Sequence, residues 1–120
     1  MNRKLIISIT SEADAMQDFK AGFLQAFKTG EVQDEYIYFT SPARLFQKIT
    51  PKRWELIEKL QEAGMVSIRE LARLLRRDIR RVHDDVVVLA EEGIIERDAG
   101  GVFVPFAEIH TDFTLKTKAA

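Results

Sequence analysis

The chain has 120 residues, of which 46% are hydrophobic and 31% are charged, a balance typical of a globular protein rather than a disordered tail. It contains no cysteine, which excludes disulfides, thiolate metal sites and cysteine nucleophiles. The formal net charge of -1 argues against a surface that is basic throughout, as a general binder of polyanionic DNA would need. No apolar run approaches the ~20 residues that span a bilayer, and the basic N-terminus lacks a small-residue cleavage site, so we expect a cytoplasmic protein.

The first half of the chain predicts a strand, a helix and a second strand. Residues 4–9 (KLIISI) and 36–40 (YIYFT) are rich in β-forming residues. Between them, Ser11 is a candidate N-cap and Gly30 a candidate helix end, and the apolar residues recur at helical spacing: Met16, Phe19, Phe23, Leu24 and Phe27. If the two strands are parallel neighbours, the crossover should be right-handed. A unit this small needs support from the second half of the chain or from another copy.

Two serine or threonine–proline pairs then predict consecutive helix starts. Ser41-Pro42 opens a short helix, and Thr50-Pro51 opens a longer one that ends at Gly64. Its buried face is expected to comprise Trp54, Leu56, Ile57 and Leu60. The stretch 41–50 divides the chain into a segment of residues 1–48, expected to serve dimerisation or partner binding, and a domain of residues 49–115.

The next two helices form the pattern that carries the functional prediction. Ser67 with Glu70 reads as a capping box before an apolar run, and Asp78 caps a second helix that ends near Glu92 and Gly93. Two helices joined by a turn of three or four residues are typical of a helix-turn-helix. The runs 94–97 and 102–104, separated by a turn containing two glycines, predict a β-hairpin that would form a wing.

The second of these helices is predicted to bury an aliphatic face and expose a basic one. At ~100° per residue, one sector contains Ile79, Val82, Val86, Leu89 and Ala90. The opposite side contains Arg77, Arg80, Arg81, Asp84 and Val88. Residues 69–81 carry six arginines and two acids, a local excess of four positive charges. Arginine at the start of a recognition helix can pair with guanine in the major groove.

Two histidines receive structural rather than catalytic interpretations. His83 lies at the edge of the buried sector and is expected to pack there. His110 and Asp112 lie in an alternating run over residues 108–113, which predicts an edge strand with both side chains facing solvent. A metal site would need further ligands at suitable spacing, and none is evident in the sequence.

The run 67–75 (SIRELARLL), followed by 82–86 (VHDDV) and 89–97 (LAEEGIIER), resembles winged helix-turn-helix regulators of the broad MarR-like type. Residues 51–105 resemble more closely short archaeal and bacterial regulators that join this domain to a strand–helix–strand segment, some of them antitoxin-like. The predicted elements give an α+β fold. The resemblance implies that Arg77, Arg80, Arg81 and Asp84 face the groove and that Arg97 lies by the wing. Arg69 and Arg76, from the arginine-rich stretch, complete the predicted DNA-contacting residues. The sequence departs from the pattern at Asp84, where a basic or small polar residue is expected, and at the hairpin tip, which lacks a basic residue.

Three functions remain open on these residues. The first is a homodimeric repressor of its own operon that binds double-stranded DNA, with the N-terminal unit and residues 109–115 building the dimer. The second is an antitoxin that binds a toxin protein with one half and represses its operon with the other. An enzyme is disfavoured, because no phosphate loop, serine elbow, paired-carboxylate cleft or cofactor motif occurs in the sequence.

Overall fold

The computed structural model describes residues 3–10, Lys20 and residues 34–117, and these residues form a mixed α+β fold. In chain order the elements are β1 (Lys4–Ile9), β2 (Glu35–Phe39), α1 (Pro42–Lys48), α2 (Pro51–Ala63), α3 (Ile68–Leu75), α4 (Ile79–Glu91), β3 (Glu96–Asp98), β4 (Gly101–Phe103) and β5 (Glu108–Asp112). The α+β class expected from the sequence is thereby confirmed. The helix predicted between Ser11 and Gly30, with its crossover, lies outside the described residues.

Strands from both ends of the chain build one three-stranded parallel sheet in the order β2-β1-β5. The first two predicted strands are parallel neighbours, the arrangement that the sequence alone left as a condition. The third strand comes from residues that follow the hairpin, so the N-terminal sheet is completed by the C-terminal half of the chain. β5 is an edge strand, as predicted, and its His110 and Asp112 side chains are 53% and 79% exposed.

Arg3 connects the sheet to the hairpin. Its guanidinium donates two hydrogen bonds of 2.8 Å to the Glu35 carboxylate and one of 3.1 Å to Glu96, and it lies 5.0 Å from the centroid of the Phe106 ring. Its carbonyl accepts a bond from the Ala107 amide. The hydrogen bonds from Arg3 lower the pKa of Glu35, and the same contact is the main reason that the pKa of Arg3 is raised.

This contact predicts that part of the stability depends on pH. Because the pKa of Glu35 is lowered on folding, its contribution is present above the unfolded value of about 4.3 and is lost as pH falls through the folded value. Both side chains are more than a third exposed, so the contribution should not exceed about 1 kcal/mol. We expect Glu35→Gln to lower the free energy of unfolding at pH 7 and to have a smaller effect at pH 3, measured by urea denaturation.

A matched control is Glu108→Gln in the neighbouring edge strand. The Glu108 side chain is 73% exposed and lies 4.0 Å from Lys4. Its substitution should leave stability unchanged at both pH values. A loss at pH 3 as large as at pH 7 for Glu35→Gln would contradict an ionic role for that contact.

Four of the five predicted N-caps are confirmed, and the fifth, Ser11, lies outside the described residues. The side chains of Ser41, Thr50, Ser67 and Asp78 each accept a hydrogen bond from the backbone N–H three residues later. Pro42 and Pro51 occupy the first helical position, where a missing N–H costs nothing. Gly64 ends α2 with a φ of +75°.

The capping box at Ser67 is only half formed. Ser67 accepts from the Glu70 amide, but the Glu70 carboxylate pairs with Arg73 one turn later in α3. This hydrogen-bonded arginine lowers the pKa of Glu70. A guanidinium within the same helix therefore competes successfully with the amide that a capping box would use.

One hydrophobic core joins the sheet, the helices and the hairpin. It comprises Leu5, Ile7, Phe39, Leu45, Ile49, Leu56, Ile57, Leu60, Leu71, Ala72, Val82, Val86, Leu89, Ile94, Ile95, Val102, Val104 and Phe106. Trp54, expected in the buried face of α2, is only partly buried against this core. The buried residues from β1 and β2 place the sheet against the same core as the four helices.

The predicted hairpin is present and is attached to the loop between α2 and α3. β3 and β4 pair antiparallel around a tip at residues 99–100, so the turn is shorter than the predicted 98–101, and β3 begins two residues later than predicted. Val66 pairs with Val102 through two backbone hydrogen bonds, of 3.1 and 2.8 Å. This bridge holds the hairpin beside the start of α3.

Candidate nucleic-acid interface

The buried side of α4 is narrower than its sequence pattern suggests. Val82, Val86 and Leu89 are fully buried, whereas Ile79 is 45% exposed. The expectation that Ile79 belongs to the core is therefore wrong. Ile79 is the first residue of the helix, and the buried stripe starts only with Val82, nearly one turn later.

Two further side chains of α4 differ from expectation. His83 was expected to pack against the core, but its side chain is 52% exposed. The buried face of α4 does not include Ile79, and His83 lies outside this narrower face. Its ring lies 3.9 Å from the Asp84 carboxylate. Val88, expected to project outward, is partly buried. The exposed side of α4 is therefore widest over its first turn and a half.

The residues that this exposed side presents are mixed in charge. Arg80 and Arg81 are exposed in the first turn, and neither forms an ion pair or side-chain hydrogen bond with another described residue. Asp84 follows one turn after Arg80, with its side chain 74% exposed. The basic character predicted for this helix is thus confined to its N-terminal end.

Arg77 does not share this exposed side. Its guanidinium donates a 2.7 Å hydrogen bond to the Asp85 carboxylate, whose other oxygen accepts a 2.9 Å bond from Arg53 of α2. The three side chains are 16%, 13% and 20% exposed, and Arg53 also bonds the Lys48 carbonyl. The expectation that Arg77 faces outward is corrected, because Asp85 at the flank of α4 holds it inward.

The other arginines predicted as contacts lie at the surface. Arg76 ends α3 in the left-handed conformation with a φ of +54°, which turns the chain sharply into α4. Arg69 lies in the first turn of α3, and Arg97 lies in β3. All three are exposed and have no ion pair with another described residue, so their charges are available to an anionic partner.

A shallow cavity of about 390 Å³ lies where the starts of α2 and α4 meet. Its lining includes four cationic side chains and two carboxylates: Lys52, Arg53, Arg77, Arg81, Asp84 and Asp85. Asp85 is already neutralised by two of these arginines. Within the part of the chain that is described, the buried Nη1 nitrogen of Arg77 has no hydrogen-bond partner. The cavity therefore offers free donors on two helices.

Sequence reasoning missed Lys52, Arg53 and Asp85. Asp85 cannot be recognised from local pattern, because its partners lie 32 and 8 residues away in the chain. Lys52 follows the Thr50-Pro51 helix start, and only the packing of α2 against the turn before α4 brings it to the cavity.

Over the described ranges 3–10 and 34–117, no helix is long and apolar enough to cross a membrane. In those same ranges, no three histidine and carboxylate side chains are arranged to hold a metal ion. His110 Nε2 lies 3.2 Å from Asp112 Oδ2 as an isolated pair on the edge strand.

The chain was compared with families, curated proteins and solved structures. The model of the HVO_A0114 family matches residues 48–111, slightly more than half of the chain. The chain belongs to the HVO_A0114 family. Comparisons with the curated proteins and with the solved structures gave no match. The HVO_A0114 match extends from the end of α1 through β5, so it contains the complete α3–α4 pair, the hairpin and the edge strand.

Proposed function

We propose that this member of the HVO_A0114 family is a sequence-specific regulator that binds double-stranded DNA as a homodimer, with α3 and α4 as a helix-turn-helix and β3–β4 as its wing. One observation carries the proposal. Arg80 and Arg81 are exposed and unpaired with described residues at the N-terminal end of α4, while the opposite side of that helix is buried in the core. A recognition helix reads base edges with its N-terminal residues.

The order of elements supports this assignment. A short turn at Arg76 and Arg77 joins α3 to α4, and the antiparallel hairpin follows α4 directly. The two bonds between Val66 and Val102 attach that hairpin next to the start of α3. Helix, turn, helix and wing in this sequence are the parts that winged DNA-binding domains use.

The charge distribution supports contact at the helix start rather than along its whole length. Lys52 and Arg81 line the cavity at the starts of α2 and α4. Arg76, which directly precedes the lining residue Arg77 in the chain, is exposed. Asp84, one turn into α4, would repel phosphate but can accept a hydrogen bond from the cytosine N4 amino group. In this proposal Arg80 reads a base, and Lys52 and Arg81 contact the backbone.

We expect Arg80→Ala to weaken binding to the preferred DNA site by about 1–3 kcal/mol and to relax the choice of base at one position, because one bidentate contact is lost. We expect Arg81→Ala to weaken binding to all sequences and to reduce the salt slope by about 1. The preferred site is first obtained by sequencing the fragments that the full chain retains from a sheared genomic pool. Affinities are then measured by fluorescence anisotropy at several salt concentrations.

Arg44→Ala is the matched control, since Arg44 is an exposed arginine in α1 without an ion pair among the described residues. It removes the same charge and should leave affinity and salt slope nearly unchanged. If all three variants lose affinity equally, the interaction is nonspecific and α4 is not a recognition helix. If the chain retains no fragment above background, the DNA-binding proposal is wrong.

A further inference from the structure

Among the residues that the structure describes, β5 pairs with a strand on one side only. The sheet order β2-β1-β5 leaves its outer side open, and four of its five residues are exposed. Two apolar side chains follow it in the chain: Phe113 is 40% exposed and Leu115 is 77% exposed. An open edge strand beside exposed apolar residues is a template for pairing with another chain.

The ladder of β1 shows which backbone groups of β5 are available. The Thr10 amide donates to the Phe39 carbonyl, so even-numbered residues of β1 direct their backbone groups towards β2, and odd-numbered residues direct theirs towards β5. Leu5 stands opposite Ile109. In a parallel pair, the residue opposite one that bonds across the ladder directs its own N–H and C=O groups away from that partner strand. Ile109 and Thr111 therefore present their N–H and C=O groups at the open edge.

We propose that two copies of the chain associate through β5, paired antiparallel about a two-fold axis at Thr111. This deepens the homodimer of the proposed function by naming its interface. In this register Thr111 bonds Thr111 of the partner subunit, and Ile109 stands opposite Phe113 of the partner subunit. The two sheets join into one of six strands, and residues 113–115 extend β5.

The distribution of charge selects this register over its neighbours. With the axis at Thr111, His110 stands opposite Asp112 of the partner subunit, and the pair occurs twice. An axis at His110 would place Glu108 opposite Asp112 of the partner subunit, and an axis at Asp112 would place two aspartates together. Like charges directly opposite destabilise a strand pair, so the Thr111 register is favoured.

The apolar side chains fit the same register. Ile109 lines an open groove of about 390 Å³ together with Trp54, Ile57, Glu58 and Gln61 of α2. The ring of Phe113 packs edge-to-face on Phe46 of α1, with 6.4 Å between centroids. Pairing brings this aromatic pair of each copy beside the groove of the other. Side chains left exposed in one copy thus meet apolar surface in the next.

The chain has no cysteine, so a single introduced thiol reports the register directly. In full-length Thr111→Cys the two thiols face each other on the axis, with Cα atoms about 5.5 Å apart, within the range of a disulfide. In Thr114→Cys each thiol stands opposite Glu108 of the partner subunit, so the two lie about 20 Å apart along the strands and cannot bridge. We expect mild oxidation to link Thr111→Cys at least tenfold faster than Thr114→Cys, measured by non-reducing electrophoresis.

A charge exchange gives a second measurement that does not use oxidation. Asp112→Lys replaces the carboxylate opposite His110 of the partner subunit with an ammonium group and so removes the complementary pair. We expect it to weaken dimerisation at least tenfold in sedimentation equilibrium. The double variant His110→Asp with Asp112→Lys restores opposite charges across the axis and should recover most of the loss, whereas Glu91→Lys, the same change of charge on α4, should have no effect.

Two results would overturn the proposed interface: equal linking of the two cysteine variants, or a chain that stays monomeric at all concentrations. Both measurements are made without DNA. If the Thr111→Cys variant links but the chain retains no genomic fragment, the DNA-binding proposal is wrong and this interface stands. If the chain retains a fragment but the Thr111→Cys variant does not link, the interface is wrong and the DNA-binding proposal stands.

Discussion

Replacing Gly101 with alanine is expected to lower the free energy of unfolding by about 2–6 kcal/mol. Gly101 has a φ of +137°, a conformation that costs any other residue about 1–3 kcal/mol. A Cβ atom there would lie 2.3 Å from the Val66 carbonyl oxygen and 2.6 Å from its carbon. Because those atoms belong to the bridge with Val102, relieving the clash would pull the hairpin from α3, which adds a further overpacking cost of about 1–3 kcal/mol.

Gly93→Ala separates these two effects. Gly93 also has a positive φ, of +86°, but a Cβ atom there meets nothing within 4 Å. Only the backbone penalty of about 1–2 kcal/mol applies, so Gly93→Ala should cost clearly less than Gly101→Ala in chemical denaturation followed by circular dichroism. Equal losses would mean that the close approach of Val66 has no energetic weight.

The second large effect is expected from Asp85→Asn, which should destabilise the fold by about 3 kcal/mol. The carboxylate of Asp85 accepts charged hydrogen bonds from Arg53 and Arg77, and all three side chains are at most 20% exposed. Breaking a buried ion pair by removing one partner typically costs about 3–5 kcal/mol, because the remaining charge is left uncompensated. We expect the lower end of that range, since two guanidinium groups that lose their anion can turn towards solvent through the adjacent cavity.

Its neighbour provides the control. Asp84→Asn makes the same chemical change one residue earlier in α4, where the side chain is 74% exposed. Surface substitutions of this kind stay within about 0.5 kcal/mol. Unfolding by urea should therefore separate the two variants by at least about 2 kcal/mol, and indistinguishable midpoints would show that Asp85 does not hold α2 and α4 together.

Local chemistry allowed much of the fold to be predicted. The serine, threonine and aspartate caps mark the helix starts in the sequence because they satisfy amides three residues away, and Gly64 marks an end because it accepts a positive φ. The edge strand at residues 108–113 could also be predicted from near neighbours, because its polar and apolar side chains alternate every two residues. Such interactions depend only on near neighbours in the chain.

The surface of α4 shows where this reasoning stops. Arg77 and Arg80 look equivalent in sequence, yet one is held by Asp85 and Arg53 from another helix, and the other is exposed. Ile79 looks like a core residue in the sequence. It is exposed because the buried face of α4 begins only at Val82.

By itself, the sequence determined the α+β class, the capped helices and the hairpin. The tertiary structure alone decided that β5 completes the N-terminal sheet, that Gly101 must approach Val66, and which arginines remain unpaired among the described residues. The reason is the separation between partners. Caps and periodicity act within a few residues, whereas the contacts of Arg3, Asp85 and β5 join residues 8 to 104 positions apart, whose encounter depends on how the whole chain packs.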